Sequence, residues 1–227
     1  MKIANIEVSL VHHIGDDLDV ANAARVSFQK ESVTLDERDK KLIKYLAEHK
    51  HHSPFNHSFL SFRVKAPIFA ARQLVKHRFM PWNEVSRRYV DSEPEFYFPD
   101  YWRKKADNVK QGSSDDKVVL RLYDWLDEDS NGLDTTPMEH LNLSLQMYQD
   151  LLAQGVCPEQ ARMVLPQNTM TEWRWSGTLN AFCDMLVLRL DKHTQLETRE
   201  VAKLISKEIK KLFPVSHQAL IGDLDVN

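Results

Sequence analysis

An α+β fold, helix-rich and built on a small, mostly antiparallel sheet, is what this sequence predicts. Three observations carry that expectation. Several long segments place apolar residues at helical spacing behind start signals such as Thr136-Pro137 with Glu139. Only a few short segments alternate as strands do, Ser58–Lys65 most clearly. The six glycines (Gly15, Gly112, Gly132, Gly155, Gly177 and Gly222) lie at least twenty positions apart. That spacing excludes the dinucleotide fingerprint and the P-loop, so the fold is not of the Rossmann type and no glycine-rich loop cradles a phosphate.

In chain order, Lys2 to Val11 alternates loosely as a first strand. Thr34 and Glu37 are the expected capping-box pair of a helix running to about Lys50, with Leu42, Ile43 and Leu46 on its buried stripe. In Ser58–Lys65, Leu60, Phe62 and Val64 alternate with Ser61, Arg63 and Lys65. Pro67 suits the first turn of a helix through Ala70, Ala71, Leu74 and Val75 to about Arg78. Residues Phe79–Pro99 read as irregular, broken by Pro81, Pro94 and Pro99, and Lys104–Ser114 as an exposed loop followed by a helix at Asp116–Asp127. The helix opened by Thr136 carries Leu141, Leu145, Tyr148 and Leu152 and stops at Gly155. A short helix at Glu159–Val164, a strand at Thr169–Trp175, and two long helices at Thr178–Lys192 and Gln195–Phe213 complete the reading.

A chain of 227 residues makes one large domain or two small ones. Apolar residues at 42% and charged residues at 28% are those of an ordinary globular protein, which excludes extensive disorder. No segment approaches the length of a membrane span, and the N-terminus lacks the apolar core of a secretory signal, so a cytoplasmic setting and no membrane partner are expected. Thirty Lys+Arg against 33 Asp+Glu leave a net charge of −3, which argues against a dedicated nucleic-acid binder. Two cysteines, Cys157 and Cys183, support neither a disulfide framework nor a four-cysteine metal site. Any anion must therefore meet a local cluster of cations.

That cluster is Gln73-Leu74-Val75-Lys76-His77-Arg78 and Asn83-Glu84-Val85-Ser86-Arg87-Arg88-Tyr89. Gln73, Lys76 and His77 share one face if the helix continues, and five cations lie between Lys76 and Arg88 when His77 is counted as charged. Arginine offers a planar fork to phosphate and lysine a point charge. The segment reads either as a solvated basic face at a helix end or as a polar small-molecule site. Nucleic-acid binding would use the same cations but sits poorly with the net negative charge.

The segment resembles the signature of the flavin-dependent thymidylate synthases, Arg-His-Arg, seven residues, then Ser, here Lys76-His77-Arg78 and Ser86. Other stretches are similar to the family in the same order. They are Ala24-Arg25-Val26-Ser27, His51-His52-Ser53-Pro54-Phe55-Asn56-His57, Ala66-Pro67-Ile68-Phe69, Arg72-Gln73, Arg162-Met163-Val164-Leu165-Pro166, and Leu188-Arg189 with His193 and Gln195. The resemblance implies one domain over 1–227 that moves the methylene of 5,10-methylenetetrahydrofolate to C5 of dUMP. It implies reduction by FADH2, regenerated by NADPH, giving dTMP without a cysteine nucleophile, in a homotetramer with shared active sites. It further implies dUMP contacts from Gln73, Lys76, Glu84, Val85, Ser86, Arg87, Arg88, Arg162 and Arg189. FAD contacts would come from Ser53, Lys76, His77, Arg78, Asn83, Glu84, Asn180, Asp184 and His193, and His51 would lie near folate and flavin. Arg189 would be catalytic, favouring ionisation at N3 of the uracil.

The sequence departs from the family at several of these positions. Lys76 replaces the first signature arginine, Arg87 a residue that is often small, and Asn56 a common glutamate. Thr178, Asn180 and Asp184 stand where some members carry flavin-contacting Asn, Arg and Asn.

Independently of any family, Arg189 follows Met185 and Leu186 on an apolar helix, so its charge either has a specific partner or snorkels to solvent. The histidines at 49, 51, 52 and 57 could hold a metal, but HExxH and CxxC patterns are missing and no metal is expected. Cys183, beside Phe182, Met185 and Leu186, reads as a small buried hydrophobe rather than a nucleophile. Trp173 and Trp175 are expected at a subunit interface, with core packing or stacking on flavin, together with Trp82, as the alternatives. The acidic stretch Asp124–Asp129 reads as a solvated helix end.

Overall fold

The computed structural model describes residues 1–107, 113–118 and 136–226. Its centre is a four-stranded antiparallel sheet in the order β2-β3-β8-β4 (Glu7–Ile14, Phe59–Pro67, Met170–Thr178 and Trp82–Glu84). The long β3·β8 ladder sets Leu60, Phe62 and Val64 opposite Gly177, Trp175 and Trp173. Register partners share a face, so along those three pairs one face of the β3·β8 ladder is apolar. Gly177 is a close approach: a Cβ there would lie 3.2 Å from Met80 Cγ, so the Met80 side chain would have to give by a few tenths of an ångström. Two small ribbons flank the sheet. β1 (Lys2–Ile3) pairs in parallel with β5 (Glu95–Phe96), and β6 (Trp102–Lys105) pairs antiparallel with β7 (Ser113–Val118).

Most of the described helices pack into the core on the apolar face, whereas the one at Pro137–Ala153 packs with Phe96 in a separate cluster. The helices are α1 (Asp17–Arg25), α2 (Glu37–Glu48), α3 (Ile68–Leu74), α4 (Pro137–Ala153), α5 (Pro158–Ala161), α6 (Leu179–Arg189), α7 (Leu196–Leu212) and α8 (Pro214–Ile221). α7 shows why they form: Val201, Ala202, Ile205 and Ile209 are fully buried at helical spacing, and the intervening lysines face out. α4 begins as its sequence predicts, with Thr136 and Glu139 forming a reciprocal capping box.

The structure corrects several expectations. The capping box of α2 is Asp36 with Asp39, not Thr34 with Glu37. Asp39 uses one oxygen on the Asp36 N–H and the other on Arg25 and Ser32, so it caps and pairs at once. Ser113–Val118 is a strand where a helix from Asp116 was expected, because Lys117 and Val118 pair with Arg103 and Trp102. The remainder of that expected helix and the acidic stretch Asp124–Asp129 lie outside the described residues. Helices α1 and α8 go beyond the sequence reading. Buried Asp17 joins them, accepting from the N–H groups of Val215 and Ser216 and from the Ser216 hydroxyl at 2.6–2.8 Å.

Candidate active site

Helix α3 ends at Leu74, one turn before the sequence suggests, and the His77 N–H turns back to the Leu74 carbonyl. Lys76 and His77 thus leave the helix, and Phe79 adopts a left-handed backbone (φ 61°) before the chain enters β4. The turn brings His77 under the last turn of α6. There the Arg189 Nε–H donates to His77 Nε2 at 3.0 Å, and Arg189 Nη2 donates to the Gln73 carbonyl at 2.9 Å. Gln73 is itself held, its amide donating to the Gln195 side chain at 2.5 Å. Arg189 therefore has specific partners and does not snorkel.

Burial, reinforced by the Arg189 charge, pushes the His77 pKa down from 6.5 to about 4. His77 is neutral at pH 7 and accepts at Nε2, which places its proton on Nδ1 by inference from the bond. This corrects its inclusion among the five cations. Both partners of Arg189 are uncharged acceptors, and burial lowers its own pKa as well. Among the described residues it makes no ion pair, so a desolvated cation is left without a carboxylate. Such a group is poised to stabilise an anion.

Some of the residues named from sequence line two separate cavities. One, of about 770 Å³, is lined by Gln73, Lys76, Asp184, Leu188, Arg189 and His193, among others. The other, of about 490 Å³, is lined by Glu84, Val85, Arg87 and Arg162, with Lys65 and Thr171. In the second, the Glu84 carboxylate is held at both oxygens, and Arg87 donates to the Ser92 carbonyl at 2.7 Å. The Arg162 Nε–H donates to the Glu159 carbonyl at 3.3 Å. Ser86 and Arg88 lie outside both linings. Ser86 Oγ accepts from the Arg88 N–H, and Arg88 lies over the Tyr89 ring. Asn83 and Arg78 are exposed and line neither cavity.

A polar face runs along the N-terminal half of α6. His52 Nδ1 meets Asn180 Oδ1 at 2.8 Å, Asn180 donates to Asp184 at 3.0 Å, and the Thr178 hydroxyl donates to Asn56 at 2.8 Å. The loop carrying Ser53 packs against this helix, and the His51 ring lies beside Tyr45 and His49. Side-chain amides, hydroxyls and imidazoles there offer donors and acceptors without any glycine cradle, which fits a cofactor recognised by side chains.

Two further expectations are settled by burial. Trp173 and Trp175 are core residues of this chain, 1% and 0% exposed, rather than interface residues. Cys183 is buried, with burial pushing its thiol pKa up, whereas Cys157 is exposed. Among the described residues no group of three or more His, Cys, Asp or Glu gathers as a metal site. The sequence reading missed Thr171 and Trp82 as partners of Glu84, and Gln195 as the partner of Gln73. Only the strand register and the approach of α7 reveal them.

Fold and site together define an α+β protein with nucleotide-sized, cation-lined cavities and no glycine-rich loop. The family model described as thymidylate synthase complementing protein matches residues 9–215. A flavin-dependent thymidylate synthase of Kosmotoga olearia is 40% identical over 95% of this chain and 90% of its own. One from Thermus thermophilus is 39% identical over 93% of this chain and 74% of its own. Among solved structures, the UMP/dUMP methylase PolB from Streptomyces cacaoi, bound with 5-Br dUMP, superposes with a TM-score of 0.80 at 30% identity, covering 96% of each chain. The chain belongs to the flavin-dependent thymidylate synthases, and its activity is that of an FAD-dependent methyltransferase acting on dUMP.

Proposed function

We propose that residues 1–227 act as one domain that converts dUMP to dTMP with Arg189 as the catalytic cation. The observation that carries this reading is the half-buried guanidinium, fixed by His77 and the Gln73 carbonyl and free of any carboxylate among the described residues. Placed beside N3 and O4 of the uracil, it favours the anionic ring and raises electron density at C5, where the methylene of methylenetetrahydrofolate adds. The C5 hydrogen leaves as a proton, and tetrahydrofolate is released. FAD, when bound and reduced by NADPH, supplies the hydride that completes the methyl group.

In this reading Lys76, Arg87, Arg88 and Arg162 balance the 5′-phosphate, while Gln73, Glu84, Val85 and Ser86 orient the nucleotide. Ser53, Lys76, His77, Arg78, Asn83, Glu84, Asn180, Asp184 and His193 hold FAD. His51 meets the folate.

The dUMP residues fall on two cavities of a single chain, and Phe79 between their segments is 91% exposed. A homotetramer that joins one cavity to a neighbour's accounts for both facts. No described helix is long and apolar enough to cross a membrane; a cytoplasmic setting and the absence of a nucleic-acid partner are part of the proposed reading. The test is dTMP formation from dUMP, methylenetetrahydrofolate, NADPH and FAD, with tritium released from C5 only when folate is present. A colourless protein that releases no tritium would overturn the reading.

A further inference from the structure

The Glu84 carboxylate, which lines the second cavity, is held at both of its oxygens. Thr171 Oγ1 donates to Glu84 Oε1 at 2.7 Å, and Trp82 Nε1 donates to Oε2 at 3.0 Å. The strands explain why. β4 pairs with β8 so that Trp82 lies opposite Trp175 and Glu84 opposite Trp173. Thr171, two residues before Trp173, then shares that face and is the diagonal neighbour of Glu84. The Val85 N–H extends the pairing to the Glu172 carbonyl at 2.9 Å, which pins the Glu84 backbone.

Trp82 is equally constrained. Its ring stacks on buried Trp173 with centroids 4.3 Å apart and planes 18° apart, and meets Trp175 edge-on at 5.6 Å. Its indole N–H therefore has one direction to point. A free glutamate side chain would sample many rotamers; here both oxygens are fixed before any ligand arrives, each keeping a lone pair for it.

We infer that Thr171 is a positioning residue for nucleotide binding, holding the Glu84 carboxylate in the orientation that meets dUMP, with Trp82 bracing the other oxygen. The inference rests on the reading of Glu84 as a dUMP contact. Thr171 also lines the same cavity as Glu84, Arg87 and Arg162, so it acts from within the site. It loses one charge-assisted bond when its hydroxyl is replaced, and that bond serves binding rather than chemistry.

The experiment compares Thr171→Val, Thr171→Ser, Trp82→Phe and Glu84→Gln in the flavin-loaded enzyme, measuring dUMP affinity by calorimetry alongside kcat and KM. Thr171→Val keeps the β-branched shape and should raise the dUMP Kd and KM about fivefold, leaving kcat and melting temperature unchanged. Thr171→Ser should restore affinity, and Trp82→Phe, which keeps the ring stack, should weaken it similarly. Thr171→Val combined with Glu84→Gln should cost no more than Glu84→Gln alone. If Glu84→Gln binds dUMP normally, the assignment of Glu84 fails and the inference with it. If Glu84→Gln weakens binding but Thr171→Val does not, or if its loss simply adds to that of Glu84→Gln, the positioning role is overturned while the function stands.

Discussion

The Nε–H of Arg189 points at Nε2 of His77 across 3.0 Å, tying the last turn of α6 to the segment that follows α3. The bond needs a neutral imidazole, because a protonated ring has no acceptor. It leaves the charge of Arg189 directed by two uncharged partners. Arg189→Ala should lower kcat about 10²–10³-fold, the loss typical of removing a fixed donor to a developing anion. The purified variant should remain yellow. Normal turnover would remove the role assigned to Arg189.

The His77 pKa of about 4, against 6.5 for a free histidine, sets a pH window. The folded protein resists protonation that the unfolded chain accepts. This group's contribution is therefore complete above pH 6.5 and is lost progressively as pH falls toward 4. Melting temperatures between pH 7 and pH 4 should fall more steeply for the wild type than for His77→Gln. Parallel curves would show that His77 does not titrate in this way.

Asp39 acts in the same sense, at a lower pH. Burial alone would raise its pKa, but hydrogen bonds from the Asp36 N–H, Arg25 and Ser32 bring it below the usual 3.8. Its contribution is present above pH 3.8 and disappears as pH falls through the lower folded value. Asp39→Asn should cost about 2 kcal/mol at pH 7 by loosening the α2 cap and stranding Arg25, with the deficit shrinking in acid. Denaturant unfolding at pH 7 and pH 3 measures both.

The cysteines should be dispensable for chemistry. Cys183 is buried with its thiol held protonated, and no thiolate-activating base is hydrogen-bonded to Cys157 among the described residues. Cys157→Ser and Cys183→Ser should each turn over dUMP at rates within a few-fold of wild type. An inactive variant that folds and holds flavin would restore the nucleophile hypothesis.

Assembly is accessible to light scattering on the eluting peak. The expected particle has four times the 26.5 kDa mass of the chain. Phe79→Asp, at a 91% exposed position, should shift the population toward smaller species and reduce activity in proportion. A monomer with full activity would refute the shared-site reading.

Much of the scaffold is local and therefore readable from sequence. Thr136 with Glu139 starts α4, alternation marks β3, and the spacing of Val201, Ala202, Ile205 and Ile209 marks α7. Helix α8 resists such reading because Asp17, 198 positions before Val215, caps its N-terminus. α1 was legible in principle, since Asp16 and Asp19 form a local capping box, but its apolar stripe is short. α2 shows how neighbouring signals compete. Thr34/Glu37 and Asp36/Asp39 have the same spacing, and the second pair prevails because Asp39 also meets Arg25 and Ser32 from other elements.

By itself, the sequence determined the fold class, the family signature and the identity of the candidate residues, because caps, periodicity and motifs depend on positions a few residues apart. Only the tertiary structure decided how those residues are used. It ends α3 early to send His77 beneath Arg189, divides the cations between two cavities, and sets Thr171 diagonally across from Glu84. Each of these depends on strand register and helix packing between residues 87 to 116 positions apart, a distance over which sequence carries no local signal.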